Sequence, residues 1–90
     1  MEETRELAIC NTKGLHARAS ARFVETVERF DAHVSVSKDG QTVGGDSIMG
    51  LLMLAAAKGS TIQVSAQGPD AKEVIDALAT LVEDRFGEDS

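Results

Sequence analysis

The sequence predicts a two-layer α+β domain, a four-stranded antiparallel sheet with three helices on one face, in the order strand, helix, strand, strand, helix, strand, helix. Three observations carry this expectation. Four short segments alternate apolar and polar residues with a period of two, and three others place apolar residues at helical spacing. Asp39-Gly40 marks a tight hairpin between the second and third strands, which favours antiparallel pairing.

Leu7 and Ile9 alternate with Glu6, Ala8 and Cys10, a short half-buried first strand that Lys13-Gly14 breaks. Ala17, Ala21, Val24, Val27 and Phe30, with Phe23, then keep the spacing of a helix's buried side, opposite Arg22, Glu25, Glu28 and Arg29. Asp31 ends that helix. Ala32, Val34 and Val36 alternate with His33, Ser35 and Ser37 in the second strand, and Thr42-Val43 begins the third after the hairpin turn. Gly44-Gly45-Asp46-Ser47 leads into a helix over residues 48–57, with Ser47 as its N-cap and Lys58-Gly59 as its stop. Ile62, Val64 and Ala66 alternate with polar neighbours in the fourth strand. Gly68-Pro69-Asp70 opens the last helix, with proline suited to the first turn, and Val74, Ile75, Leu78, Leu81, Val82 and Phe86 form its apolar stripe. The whole chain, residues 1–90, reads as a single domain. Its ordered core is expected over about residues 5–86, with a frayed acidic tail from Gly87.

Composition narrows the function. The only aromatics are Phe23, Phe30 and Phe86, so the core is aliphatic. Cys10 is alone and cannot form an internal disulfide, which fits a reducing cytoplasm. The opening Met-Glu-Glu-Thr-Arg-Glu is too acidic for a signal or transit peptide, and the most apolar run, over residues 48–57, falls short of the ~20 residues of a membrane span. A net charge of −6 without Trp or Tyr argues against nucleic acid. Two scattered histidines and one cysteine make no zinc site, and Gly44-Gly45 lacks a nucleotide-loop spacing, so no metal or cofactor is expected. Nothing demands more than a monomer.

One stretch departs from the acidic balance. No carboxylate occurs between Glu6 and Glu25, while Lys13, Arg18 and Arg22 supply positive charge around His16. His16 stands where a helix start normally carries a capping Ser, Thr, Asp or Asn. The uncapped N–H groups and roughly half a unit of positive charge then attract an anion. The same field favours the neutral, nucleophilic ring. Arg18 and Arg22 are placed to hydrogen-bond phosphate oxygens. These parts describe a histidine that accepts a phosphoryl group and gives it away, with no second catalytic group for further chemistry. A lone histidine near a helix start is often only a surface residue, and a small ferredoxin-like domain binding an anionic metabolite or a protein through the basic island is the alternative.

Gly14-Leu15-His16-Ala17-Arg18, read with Asp46-Ser47-Ile48 and the element order, resembles HPr, the histidine-containing phosphocarrier of the phosphoenolpyruvate-dependent phosphotransferase system. The likeness covers nearly the whole chain. It implies an open-faced β-sandwich and a carrier, not an enzyme. Phosphate would come from enzyme I onto Nδ1 of His16, steadied by Arg18, and pass to an EIIA-type acceptor. In some members the serine matching Ser47 is phosphorylated by an ATP-dependent HPr kinase. Ala19 stands where the family usually has proline, which removes some preorganisation of the first helical turn. Glu25 and Glu28 replace basic residues common in sugar-transport members, and Leu51-Leu52-Met53-Leu54-Ala55-Ala56-Ala57-Lys58-Gly59 is similar to the nitrogen-related branch, often called NPr. The resemblance therefore implies a regulatory phosphorelay more than bulk sugar uptake, with enzyme I of either the nitrogen or the sugar type.

The segment 48–57 is apolar around its circumference. Leu51, Leu54 and Ala55 are expected against the sheet, leaving Ile48, Met49, Leu52 and Met53 exposed. With Ala17, Ala21 and Arg22 these residues are expected to dock donor and acceptor, a role that flexible Met side chains suit. A phosphate on Ser47 would put charge into that patch without unfolding the helix, whose N-terminus accepts anions.

Overall fold

A computed structural model describes all 90 residues. The elements are β1 (Glu2–Ala8), α1 (Ala17–Glu28), β2 (His33–Lys38), β3 (Gln41–Gly44), α2 (Ile48–Met53), β4 (Thr61–Gln67) and α3 (Ala71–Glu83), followed by a 3₁₀ turn at Arg85–Gly87. The strands form one antiparallel sheet in the order β1-β4-β2-β3, and the three helices cover one face. Alternation decides which face. Leu7, Val34, Val36, Ile62, Val64 and Ala66 point into the core, while Thr4, Ser65, Ser37 and Thr42 join across the open face through hydroxyl hydrogen bonds. Asp39 and Gly40 both take positive φ in the hairpin, as a two-residue turn of the primed type requires. Phe23, Phe86, Leu51, Ile75 and Leu78 fill the space between sheet and helices. No helix is long and apolar enough to cross a membrane.

The structure departs from the sequence expectations at element ends. β1 starts at Glu2, because backbone pairing with β4 runs from Glu2 opposite Gln67 to Ala8 opposite Thr61. Polar residues supply that half of the strand, so hydrophobic alternation does not show it. Arg5 reaches over the edge to Asp76 on α3 at 2.9 Å. α1 buries Ala19, Ser20, Phe23, Val24, Thr26 and Val27, and leaves Ala17 exposed and Phe30 beyond its end. The buried side is therefore rotated from the one expected. Thr26 is accommodated because its hydroxyl donates to the Arg22 carbonyl at 2.9 Å. Pro69 precedes α3, whose N-cap is Asp70. The Asp70 carboxylate instead accepts from the Asp31 backbone N–H at 2.8 Å and ties the end of α1 to the start of α3.

The largest difference is α2, which ends at Met53 and not near residue 57. Its last bonds reach back three residues, from Leu54 N–H to the Leu51 carbonyl and from Ala55 N–H to the Leu52 carbonyl. Ala55 then turns left-handed at φ 52° and is exposed, and Ala56 takes the buried place expected for it. The short helix has a reason in the fold. Stopping it frees the Ala56 carbonyl to accept the Leu15 N–H at 2.9 Å. That bond clamps the chain entering α1 against the end of α2.

Gly14 makes the clamp possible. It holds φ +64°, and a Cβ there would collide with the Ala56 carbonyl and come within 2.9 Å of Ala57 Cα. Gly14→Ala is expected to lower unfolding free energy by at least the ~1–3 kcal/mol of a strained backbone position. Urea denaturation measures it, and an unchanged midpoint would contradict the clamp. Gly40→Ala, also at positive φ but with nothing near its Cβ, isolates the backbone part of the loss.

Candidate functional site

The site is built on the eight residues between β1 and α1. Ile9 extends the sheet ladder, donating to the Ser60 carbonyl at 2.9 Å and accepting from Gly59 N–H at 2.8 Å. Asn11 follows, fully buried. Its Nδ2 donates to the Gly14 carbonyl at 2.8 Å and so folds the loop on itself. Leu15 is buried, its N–H on Ala56 and its carbonyl accepting the Ser20 hydroxyl at 3.2 Å. With Leu15 anchored at both backbone groups, His16 is delivered to the start of α1.

His16 is the N-cap of α1 by backbone geometry, extended at φ −75° and ψ −178°, and its side chain makes no capping bond. The first intrahelical bond runs from Ser20 N–H to the His16 carbonyl at 2.8 Å. The amides of Ala17, Arg18 and Ala19 therefore lie ahead of the helix ladder. No acidic residue occupies the first turn. His16 and Arg18 line a cavity of about 210 Å³ with Thr12, Lys13 and three tail residues, Glu88, Asp89 and Ser90. Of the basic residues singled out from sequence, Lys13 and Arg18 are together at this cavity. Arg22 is not. Its Nη1 donates to the Phe86 carbonyl at 2.9 Å, so the expectation that it binds phosphate gives way to a role in anchoring the C-terminal segment.

That segment is the part that sequence reasoning missed. Arg85, Phe86 and Gly87 hold φ 55°, 56° and 80°, and three successive left-handed residues reverse the chain. Each non-glycine residue in that region costs ~1–2 kcal/mol. Complete burial of Phe86 contributes a comparable ~1.5–3 kcal/mol and keeps the reversal in place. Glu88 is consequently seated on the site and not on a free tail. Its Oε2 pairs with His16 Nε2, and its Oε1 accepts from Asn11 Nδ2 at 3.0 Å. The expectation of a frayed end from Gly87 is corrected by these contacts of Glu88. Glu88 lies 72 residues from His16, beyond any local motif. Asn11 carried no such signal either, since its amide nitrogen donates to the Gly14 carbonyl and its oxygen does not accept as in an Asx turn.

The apolar patch is where the sequence put it. Ile48, Met49, Leu52 and Met53 are 42%, 68%, 36% and 63% exposed, while Leu51 and Leu54 are buried. α2 packs on α1, and the Leu15–Ala56 bond ties the loop before α1 to the segment that follows α2. Ala17 is exposed and Ala21 half-buried beside it. Ser47 caps α2, its Oγ accepting the Gly50 N–H at 3.0 Å. His33 is exposed at the start of β2 and makes no contact with the site.

Comparison with known proteins bears on the same residues. Residues 3–84 match the family model for the phosphorylation site of the PTS HPr component. The phosphocarrier protein HPr of Cupriavidus necator is 46% identical over 84 residues, covering 93% of this chain and 94% of that protein. The phosphocarrier protein NPr of Shewanella violacea is 37% identical over 86 residues, covering 96% and 94%. The crystal structure of HPr-C-His from Thermoanaerobacter tengcongensis superposes with a TM-score of 0.93 at 40% identity, over 98% of this chain and 99% of that one.

Burial pushes the Glu88 carboxyl up, but hydrogen bonds from Asn11 and His16 and the charges of His16 and Lys13 hold it below its ordinary 4.5. A carboxylate depressed in the folded chain stabilises it above the unfolded pKa, and the contribution disappears as pH falls through the folded value. Glu88→Gln is thus expected to lower the urea midpoint at neutral pH, with the gap to wild type closing as pH drops below about 4.5. Denaturation curves across that range test it, and a gap independent of pH would contradict it.

Proposed function

Because the chain belongs to the HPr family of phosphocarriers, we propose that His16 is the residue that carries the phosphoryl group, taken from enzyme I on Nδ1 and passed to an EIIA-type acceptor. The chain is a stoichiometric phosphoryl carrier and not an enzyme. The observation that supports His16 as the carrier residue is the uncapped start of α1, where the amides of Ala17, Arg18 and Ala19 precede the first helical bond. A phosphoryl group on the His16 ring meets those N–H groups and the positive end of the helix dipole, worth up to ~2 kcal/mol in a partly buried setting. Arg18, two residues on, supplies a charge-assisted hydrogen bond to a phosphate oxygen. Ala19 fills its buried place without the fixed φ of proline.

Partners dock on the Ile48, Met49, Leu52 and Met53 patch together with Ala17, Ala21 and Arg22. Exposed apolar area next to the phosphoryl site and Met flexibility support one surface serving donor and acceptor in turn. Unpaired Cys10 fits the reducing cytoplasm, where we place the relay. Glu25 and Glu28, both exposed on α1, support a regulatory relay over bulk sugar uptake, since they oppose an acidic partner surface. The likeness is not confined to that branch: the relative named HPr is 46% identical and the one named NPr 37%.

A second control point is Ser47. Its hydroxyl faces the first turn of α2 and a phosphate there keeps accepting from Gly50 N–H, so the fold stays while charge enters the docking patch. An HPr kinase would be the writer of that mark.

Incubation with enzyme I and phosphoenolpyruvate is expected to add one acid-labile phosphoryl group to wild type and none to His16→Ala, read by mass spectrometry. No gain with either a sugar-type or a nitrogen-type enzyme I would contradict the assignment and favour a reversible anion site. Ser47→Asp is expected to slow transfer at least tenfold, about the effect of burying one unpaired charge at an interface, while its melting temperature stays near wild type. Transfer at the wild-type rate would remove Ser47 as a switch.

A further inference from the structure

We propose that Glu88 is a positioning residue that sets the tautomer of His16, holding the ring proton on Nε2 and leaving Nδ1 as the bare nucleophile. The inference rests on the carrier reading above and adds how the reacting nitrogen is selected. The pair to Glu88 Oε2 is the only side-chain hydrogen bond of the His16 ring. An ionised carboxylate can only accept, so a neutral ring paired with it carries its proton on Nε2. The second oxygen of Glu88 accepts from Asn11 Nδ2 at 3.0 Å, and Asn11 is itself fully buried and fixed to the Gly14 carbonyl.

The contact is built into the fold. The left-handed run Arg85-Phe86-Gly87 aims Glu88 back at the site, buried Phe86 anchors it, and Arg22 holds the Phe86 carbonyl. The Glu88 side chain is 16% exposed against 26% for His16. Lys13 and Arg18 share the cavity with Glu88, Asp89 and the terminal Ser90. Their positive charge offsets the carboxylate toward an incoming phosphate dianion.

In the transfer, the Nδ1 lone pair forms the new N–P bond while the donor's bond to phosphorus breaks and its electron pair stays with the donor. The proton remains on Nε2. The ring acquires positive charge, and Glu88 meets it as the carboxylate of a hydrolase triad meets imidazolium. On delivery the N–P pair returns to Nδ1 as the acceptor bonds to phosphorus, with the proton still on Nε2.

The test combines ring ¹⁵N spectra of neutral His16 in the full chain with the rate of phosphoryl gain from enzyme I and phosphoenolpyruvate. Wild type is expected to show the Nε2–H form alone. Glu88→Ala is expected to show both tautomers and to accept the phosphoryl group about tenfold more slowly, the effect of one charge-assisted hydrogen bond. Glu88→Gln, whose amide oxygen still accepts, is expected to keep the tautomer and recover part of the rate. An unchanged tautomer in Glu88→Ala overturns the proposal, as does faster transfer, which a carboxylate that merely repels phosphate would give. A wild type that gains no phosphoryl group defeats the carrier reading itself. A phosphorylated wild type with an indifferent Glu88→Ala variant removes only the role of Glu88.

Discussion

The hydrogen bond from Leu15 N–H to the Ala56 carbonyl is the constraint on which the rest of the site depends. It requires Gly14 to be a glycine, because any Cβ there would enter the space of that carbonyl. It requires α2 to stop after six residues, because a longer helix would turn the Ala56 carbonyl into its own ladder. Its consequence is geometric. Leu15 is buried, the next residue is forced out to the start of α1, and the apolar face of α2 is brought alongside. His16 and α2 are thus placed by one backbone contact between segments about 40 residues apart in the chain.

Around that contact the chain sets two opposing electrostatic demands. The open helix start, Lys13 and Arg18 present positive charge, while Glu88 brings a carboxylate against the same imidazole. A site made only of positive charge would hold phosphate well but leave the ring nitrogen undefined. A carrier must also release what it holds, and in the proposed transfer a carboxylate at Nε2 meets charge on the ring and not on the phosphate, which suits both directions. Arg22, which reads as a third phosphate ligand from charge alone, instead secures the chain reversal that presents Glu88.

Much of this was legible in the sequence, for physical reasons that differ between elements. Period-two alternation in Val34-Val36 and Ile62-Val64-Ala66 located β2 and β4, because one face of each is buried and the other open. Ser47 identified itself as a cap, and the absence of any cap before Ala17 exposed His16. The N-terminal half of β1 was illegible, since Glu2 to Glu6 pair through backbone and polar side chains without burial. The end of α2 was illegible because Leu54, Ala55 and Ala56 are good helix formers, and only the tertiary bond to Leu15 overrides them. Glu88 was read as tail because local sequence cannot show three left-handed residues held by the burial of Phe86.

The measurement that bears most directly on the account is where phosphorus sits and what it touches in the phosphorylated chain. In ¹⁵N-labelled protein, phosphorus–nitrogen coupling is predicted at Nδ1 of His16, with the largest amide shifts on phosphorylation at Ala17, Arg18 and Ala19, the N–H groups ahead of the first helical bond. Coupling to Nε2, or amide shifts that bypass the start of α1, would contradict an open helix end as the seat of the phosphoryl group.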